Sequence, residues 1–406
     1  MSRIDDLIRD LCPDGVEYKP LGEVGRLLGG LTGKTKADFV DGTARYVSYK
    51  NVYSNLEVDV TADDFVRISD SETQNTLQIG DILFTGSSEN REEVGLTSVI
   101  TSLPPEPLYL NSFCICFRPT ENFTLLPEFA KHLFRSAAIR HQVIKTATGV
   151  TRINISRKNL TKIQVPLPPA EVQQEVARTL DQFTQLEAEL EAELEARQRQ
   201  YSHFANAVTR SEHTIALGQV ATFDYGLTAK AKDTGTHRFI RITDISPNGY
   251  LLPNNAKYVD ITPDNNRFIA NDRDILVART GASYGKTLLV RSEIPMSFAS
   301  YLIRINLNPL QIDPEFYWHF THSRDYWKQA ASLVTKGGQQ QFNSNALKRI
   351  ETPIPPLTQQ REIAKSLNHL YSLAHDLTSG LPAEIEARRK QYEYYRDRLL
   401  TFPEKN

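Results

Sequence analysis

Two stretches of this sequence set a lysine between a glycine and a threonine: Gly29-Gly30-Leu31-Thr32-Gly33-Lys34-Thr35 and Gly281-Ala282-Ser283-Tyr284-Gly285-Lys286-Thr287. Gly-Lys-Thr is how a nucleotide phosphate loop ends, but that loop needs four residues between its glycines, and both stretches have three. Neither precedes an obvious helix in a βαβ pattern. Nucleotide chemistry is therefore disfavoured. Two readings stay open: a glycine-rich turn that presents a lysine to a phosphodiester backbone, or a plain surface loop.

The same turns sit in loops rich in side chains that read nucleic acid. In the first half these are Lys34, Lys36, Tyr46, Tyr49, Lys50 and Asn51, then Ser87, Ser88, Asn90 and Arg91, then Thr151, Arg152 and Asn154. In the second half they are Lys230, Lys232, Arg238, Arg241, Thr243 and Asp244, then Arg279, Thr280, Ser283, Tyr284 and Lys286, then Lys336, Gln339, Gln340, Gln341 and Asn343. The arginine fork fits a guanine edge, and Asn or Gln fits an adenine edge. Lys and Thr suit phosphates. Singly, each reads as a solvated loop residue. Together, at equivalent places in two halves that otherwise differ, they predict two recognition surfaces with different targets.

Catalytic constellations are missing from the sequence. Pro13-Asp14 and Glu17-Tyr18-Lys19 faintly resemble a nuclease site, but they lie too close together for carboxylates on separate elements to share a metal. There is no methyl-donor glycine motif, no Asn-Pro-Pro-aromatic motif and no metal-ligand spacing of His and Cys. His132 and His319 stand in equivalent positions and are expected to pack rather than ligate. Cys114 and Cys116 alternate as in a strand, so both thiols should be buried on one side. The net charge of −2 does not demand nucleic acid, so any basic surface has to be local. No apolar run approaches a membrane span, and the charged start Met1-Ser2-Arg3-Ile4-Asp5-Asp6 is unlike a signal peptide. A cytoplasmic protein is expected.

The elements that must position these loops come twice. Pro166-Leu167-Pro168-Pro169 is repeated as Pro353-Ile354-Pro355-Pro356, with Glu175 and Glu362 at the same offset behind. Proline pairs end one element and permit a helix to begin. Behind the first, Val176, Leu180, Phe183, Leu186, Leu190, Leu194, Tyr201 and Phe204 trace one helical stripe. That predicts a helix of about 40 residues, about 60 Å long, which needs a partner. Ile363, Leu367, Leu370 and Leu373 open the matching stripe, and Ile385, Tyr392, Tyr395 and Leu399 continue it. Four extra residues near Ser379-Gly380-Leu381-Pro382 form a stutter where a kink or break is expected. Upstream, Leu21-Gly22-Glu23-Val24 pairs with Leu217-Gly218-Gln219-Val220, Asp81-Ile82-Leu83 with Asp274-Ile275-Leu276, and Thr85-Gly86 with Thr280-Gly281. Alternation through Phe113, Ile115 and Phe117 predicts half-buried strands. One helix is expected after each Pro-Glu-Phe, over 129–144 and 316–333. The class is α+β: each half is a curved sheet or small barrel plus helices, followed by a long helix.

This order of motifs, from Leu21-Gly22-Glu23-Val24 through the proline signposts and their second copies, resembles the specificity subunit of a type I restriction-modification system over essentially the full length. The resemblance implies two target recognition domains, separated by two long antiparallel spacer helices, with a pseudo-twofold internal repeat. The expected boundaries are 1–168 for the first domain with its short N-terminal helix 3–11, 169–210 for the central helix, 211–355 for the second domain and 356–402 for the distal helix. Each domain would read one part of a split, asymmetric site on double-stranded DNA. The chain would be non-catalytic, with no cofactor of its own. Its implied partners are two methyltransferase subunits, which use S-adenosylmethionine, and restriction/translocase subunits, which use ATP and Mg; no membrane is involved. The segment Ile4 to Val24 resembles Phe204 to Val220, as a circular arrangement requires. From the residues alone a second class stays open: a non-DNA scaffold or adaptor with two β-rich modules on a coiled coil.

Overall fold

Pro168 and Pro169 carry no amide hydrogen, and the central helix starts directly behind them, running Ala170–Val208. A helix Leu357–His375 starts behind Pro355 and Pro356 in the same way. Each entry is closed by a fully buried glutamine. Gln173 Nε2 donates to the carbonyls of Thr124 and Pro168, both at 2.8 Å, and its Oε1 accepts from the Leu126 amide at 2.9 Å. Gln360 repeats the pattern on Gln311, Pro355 and Asp313 at 2.9, 2.8 and 2.8 Å. A buried side chain with every polar atom paired fixes the angle at which sheet turns into helix.

The structure, a computed structural model, describes residues 3–69, 71–208, 213–291, 294–335, 340–376 and 379–405. Its contacts form two compact units: Met1–Ala188 with Glu386–Asn406, and Glu189–Ile385. Each groups one recognition half with the helical segments packed on it.

In the first unit an open antiparallel sheet runs in the order Gly25–Gly29, Cys114–Pro119, Ile82–Thr85, Thr97–Val99. A smaller sheet pairs Ala44–Val47 with Phe65–Val66 and, in parallel, with Tyr109–Leu110. Cys114 and Cys116 do face one buried side, and burial pushes the Cys114 thiol up to about 12. Tyr18–Pro20 pairs with Gln164–Pro166 at the signpost. The C-terminal residues close on the N-terminal ones: the Val16 amide donates to the Pro403 carbonyl at 2.8 Å, and Tyr18 Oη to the Phe402 carbonyl at 3.0 Å. Here the first part of the central helix and the last helix, Leu381–Leu399, run antiparallel, since Phe183 stacks on Tyr395 at 5.3 Å while Glu187 meets Arg389.

The second unit repeats this plan. Its sheet runs Ala221–Tyr225, Leu302–Leu307, Ile275–Ala278, Thr287–Leu289. A companion sheet joins Tyr258–Val259, His237–Ile240, Met296–Phe298 and Ile269–Ala270, again with one parallel pair. Thr214–Ala216 pairs with Glu351–Pro353, matching the signpost pairing of the first unit and bearing out the equivalence of the two upstream segments. Its helices meet through Tyr201 and Tyr371, 4.8 Å apart.

Two expectations need correcting, and a third, the break in the distal helix, holds. Each Pro-Glu-Phe opens two helices, not one: Pro127–Leu133 then Ala137–Lys145, and Pro314–Phe320 then Arg324–Leu333. Ser136 and Ser323 stand at the second starts, and Ser323 Oγ accepts from the Tyr326 amide, a capping signal the stripe obscured. The central stripe changes face: Tyr201 and Ala205 are buried while Phe204 is 41% exposed, because this end of the helix packs on the helices Pro314–Phe320 and Arg324–Leu333, where Tyr201 Oη meets His319 and Asn206 Oδ1 accepts from the Arg324 amide. The distal helix breaks outright between His375 and Leu381. A Cβ at Gly380 would lie 2.6 Å from the Ser372 carbonyl oxygen, and Pro382 sits in the next helix's first turn, where no amide partner is missed.

Candidate nucleic-acid interface

In the first unit the sheet ladder brings three separate loops together. The strand Ser87–Ser88 pairs with Ile153–Ile155, which pairs in turn with Ala147–Thr148. Tyr49, Ser87, Ser88, Thr151 and Arg152 therefore line one cleft of about 710 Å³, with Tyr53, Phe113, Glu89 and Glu93. Tyr49 Oη donates to the Ser87 carbonyl at 2.7 Å, and its ring stacks 6.2 Å from that of Tyr53. Desolvation pushes the Tyr49 hydroxyl upward, so it remains a neutral donor. Arg152 donates to Ser87 Oγ at 3.1 Å while its guanidinium lies 5.2 Å from the centre of the Phe113 ring. Phe113 itself is 55% exposed.

Other predicted residues of this unit are committed elsewhere. Lys34 is drawn into an ion pair with Glu72 at 2.5 Å and donates to the Arg67 carbonyl at 2.6 Å; its side chain is 6% exposed. That bond holds the Glu72 carboxyl down at about 2. Asn51 is buried, its amide spent on Asp59 and Asn55. Arg91 donates to the Ala147 carbonyl at 3.2 Å and Asn90 to Glu93 at 3.3 Å, so both brace the loop. Lys36 and Lys50 are exposed, each at the start of a short helical turn.

In the second unit the turn after Ile275–Ala278 meets the loop before the signpost. Thr280 bridges to Gln341, and the Gly281 amide donates to the Gln340 carbonyl at 3.2 Å. Arg279 lies against two rings, 5.1 Å from the centre of Tyr225 and 5.8 Å from that of Tyr301, which is 56% exposed. Ser283 is half-buried in the turn Gly281–Ser283; Tyr284 packs against Trp327 and Phe342, and Lys286 is half-buried beside it. Arg241 forks onto buried Asp244 at 2.6 and 3.0 Å; the carboxylate raises the arginine's pKa, keeping it charged, and offsets that charge. Lys232 pairs with Asp260 at 2.9 Å. Lys230 and Thr243 are exposed. Lys336 and Gln339 lie outside the described residues.

The ladder also corrects the repeat. Thr85 pairs with Cys114 as Ala278 pairs with Leu302, so Thr85-Gly86 corresponds to Ala278-Arg279 rather than to Thr280-Gly281. Inter-strand hydrogen bonds fix register, whereas a shared dipeptide does not. The exposed aromatics Phe113 and Tyr301 thereby stand at one equivalent position. Sequence reasoning placed Phe113 on a buried face; the signal that could have exposed the error is Asn111-Ser112 ahead of it, a turn whose Asn111 Oδ1 accepts from the Phe113 amide.

The glycine-lysine-threonine stretches do not open helices. Lys34-Thr35 enters a single helical turn, Lys36–Phe39, and Lys286 enters the strand Thr287–Leu289; neither offers the long helix N-terminus on which a phosphate loop depends. The carboxylates of Glu57, Glu128 and Asp181 converge closely enough to hold a cation, but the Lys131 ammonium already sits among them at 2.5, 2.6 and 2.8 Å. No described helix is long and apolar enough to cross a membrane.

Residues 13–196 and 212–387 each match the family model of the type I restriction modification DNA specificity domain. A putative type I restriction enzyme specificity subunit of Haemophilus influenzae is 25% identical, over 95% of this chain and 96% of its own length. The EcoR124I/EcoR124II specificity subunit of Escherichia coli is 28% identical, over 61% of this chain and 65% of its own. Among solved structures, a chain from a study of assembly and conformational transition in the type I R-M system superposes with a TM-score of 0.59 at 17% identity, covering 95% of this chain and 97% of that one. The type I S subunit of M. genitalium gives 0.51 at 15%, covering 96% and 97%. The two family matches coincide with the two halves of the repeat.

Proposed function

Because the chain belongs to the type I restriction modification DNA specificity family, we propose that it is the DNA-reading subunit of such a system, and that each unit reads one half of a split site. The observation that carries this is the doubled loop cluster. In each unit the ladder gathers, at the same end of an equivalent sheet, a turn after the second core strand and a loop before the proline signpost. The two clusters differ in side chains, so the half-sites they suit differ in sequence.

The chain contributes recognition, and the chemistry belongs to partners: two methyltransferase subunits that use S-adenosylmethionine, and restriction/translocase subunits that use ATP and Mg. The central helix and the broken distal helix act as spacers, related by pseudo-twofold symmetry, which suits two identical partners. In this division of roles the recognition domains are 1–168 and 211–355, the spacers 169–210 and 356–402. Exposed Lys36, Lys50 and Lys230 steer toward phosphates, and Tyr49, Ser87, Thr151, Arg152, Arg279 and Gln341 face the bases. The scaffold alternative is not favoured by the family match.

Methylome mapping of cells carrying the intact system tests the reading. A split adenine-methylated motif that disappears when this gene is deleted is expected; a methylome identical with and without it would end the proposal. With purified protein, affinity for duplex DNA should fall steeply with salt as bound lysines and arginines release counterions.

A further inference from the structure

One turn recurs in both units with an unusual degree of bracing. It runs through Asn111 to Phe113 in the first and through Ala299 to Tyr301 in the second. Backbone closes it identically: the Cys114 amide donates to the Asn111 carbonyl at 3.0 Å, and the Leu302 amide to the Ala299 carbonyl at 2.8 Å. A glycine presses on each turn from the neighbouring loop. A Cβ at Gly30 would come within 2.1 Å of the Asn111 carbonyl oxygen, and one at Gly226 within 2.3 Å of that of Ala299. The carbonyl of the exposed aromatic is pinned as well, by the Gly86 amide at 2.8 Å and by the Arg279 amide at 3.1 Å. So two large aromatic residues, 55% and 56% exposed, are carried on turns too tightly held to fold them away.

Each ring has a guanidinium against it, and the two guanidinia come from different parts of the chain. In the second unit Arg279 occupies the pinning position itself. In the first that position is Gly86, where a Cβ would lie 2.5 Å from the Phe113 carbonyl oxygen, and Arg152 arrives from the loop before the signpost instead. The same pair has been assembled twice by different routes. A ring needed only for packing would be covered; a loop arginine needed only for charge would not require a ring beneath it. An aromatic ring backed by an arginine plane is the arrangement that stacks on a nucleobase, since every base offers a π face and the guanidinium adds an electrostatic term.

We propose that Phe113 with Arg152 and Tyr301 with Arg279 are matched base-stacking contacts, one per unit, that press on a base face at a DNA step opened within each half-site. This rests on the DNA-reading function above and adds which residues touch the bases by stacking. Insertion of an apolar ring at a base step unstacks it partially and bends the duplex. Half-sites containing flexible pyrimidine–purine steps suit that best.

The test uses the full chain in complex with its methyltransferase subunits, and duplex DNA carrying the site that the wild-type complex methylates. Failure of the wild-type complex to bind this duplex would count against the DNA-reading function itself. With that binding in hand, Phe113→Ala and Tyr301→Ala should each weaken it about 5- to 100-fold, with an unchanged slope against salt, because no phosphate contact is lost. Phe113→Tyr and Tyr301→Phe should bind as the wild type does. Phe113→Trp provides a reading that does not depend on stability: its fluorescence should be quenched when DNA binds. Affinities of the two alanine variants equal to wild type, loss of the methyltransferase subunits rather than of DNA, or an unquenched tryptophan at 113 would each overturn the proposal.

Discussion

Tyr201 Oη lies 3.0 Å from Nδ1 of His319, and Tyr392 Oη lies 2.9 Å from Nδ1 of His132. The tyrosine comes in one unit from the central helix and in the other from the last helix. The histidine's other nitrogen completes each bond pair: His132 Nε2 faces Asp181 Oδ1 at 2.8 Å, and His319 Nε2 faces Asn368 Oδ1 at 3.0 Å. A carboxylate or amide oxygen can only accept, so Nε2 carries the proton and Nδ1 accepts from the tyrosine. The two histidines, expected to pack, are thus the hydrogen-bonded junctions between each recognition half and its helix pair.

Removing one hydroxyl should be felt. Tyr201→Phe leaves the buried His319 Nδ1 without a donor, and the expected loss is about 1–3 kcal/mol, read from urea unfolding. Tyr394→Phe, at a residue 61% exposed, should change nothing. Equal midpoints for Tyr201→Phe and wild type would show that the junction carries no stability.

Acid should weaken the second unit early. Burial lowers His319 to about 3 and His322 to about 4, and it lowers His375 as well. In the unfolded chain these rings titrate near 6.5. Above that pH both states are neutral and nothing is lost. Below it the unfolded state takes up protons that the folded state refuses, so stability falls by about 1.4 kcal/mol per pH unit for each histidine. The fall continues down to the folded values near 4 and 3. Thermal unfolding followed from pH 7.5 to 4.5 should show a steepening decline; a flat profile between 6.5 and 5 would contradict it.

Loop lysines and asparagines should separate by role. Lys36→Ala should weaken DNA binding and reduce the salt slope by about 1, leaving the melting temperature unchanged. Asn51→Ala and Lys34→Ala should lower the melting temperature, because their polar groups hold Asp59, Asn55 and Glu72. Reversal of these two outcomes would mean that the interface lies elsewhere.

Spacer length should set the gap between half-sites. Deleting one heptad from the central helix and one from the last helix should shorten the recognised gap, as read by methylation mapping, since about 10 Å of rise is removed from each. A gap of unchanged length would exclude the helices as the ruler.

The sequence alone determined the repeat, the paired signposts, the helices behind them, the break near Gly380 and the membership of loops that gather at one end of each sheet. These are set by local chemistry: prolines that lack an amide, a stripe of apolar residues, a glycine that no other residue can replace. Only the tertiary structure decided which of the loop residues keep free polar atoms. Lys34 and Asn51 look like readers of DNA in sequence, yet Lys34 is paired with Glu72, far from it in the chain, and Asn51 is buried and bonded to Asp59. Phe113 looks like a core residue and is not. The strand ladder, not residue identity, placed Arg279 where Gly86 stands and sent Arg152 to do the same work from another loop. Burial and hydrogen-bond pairing between distant segments fix those outcomes, and neither is encoded in spacing along the chain.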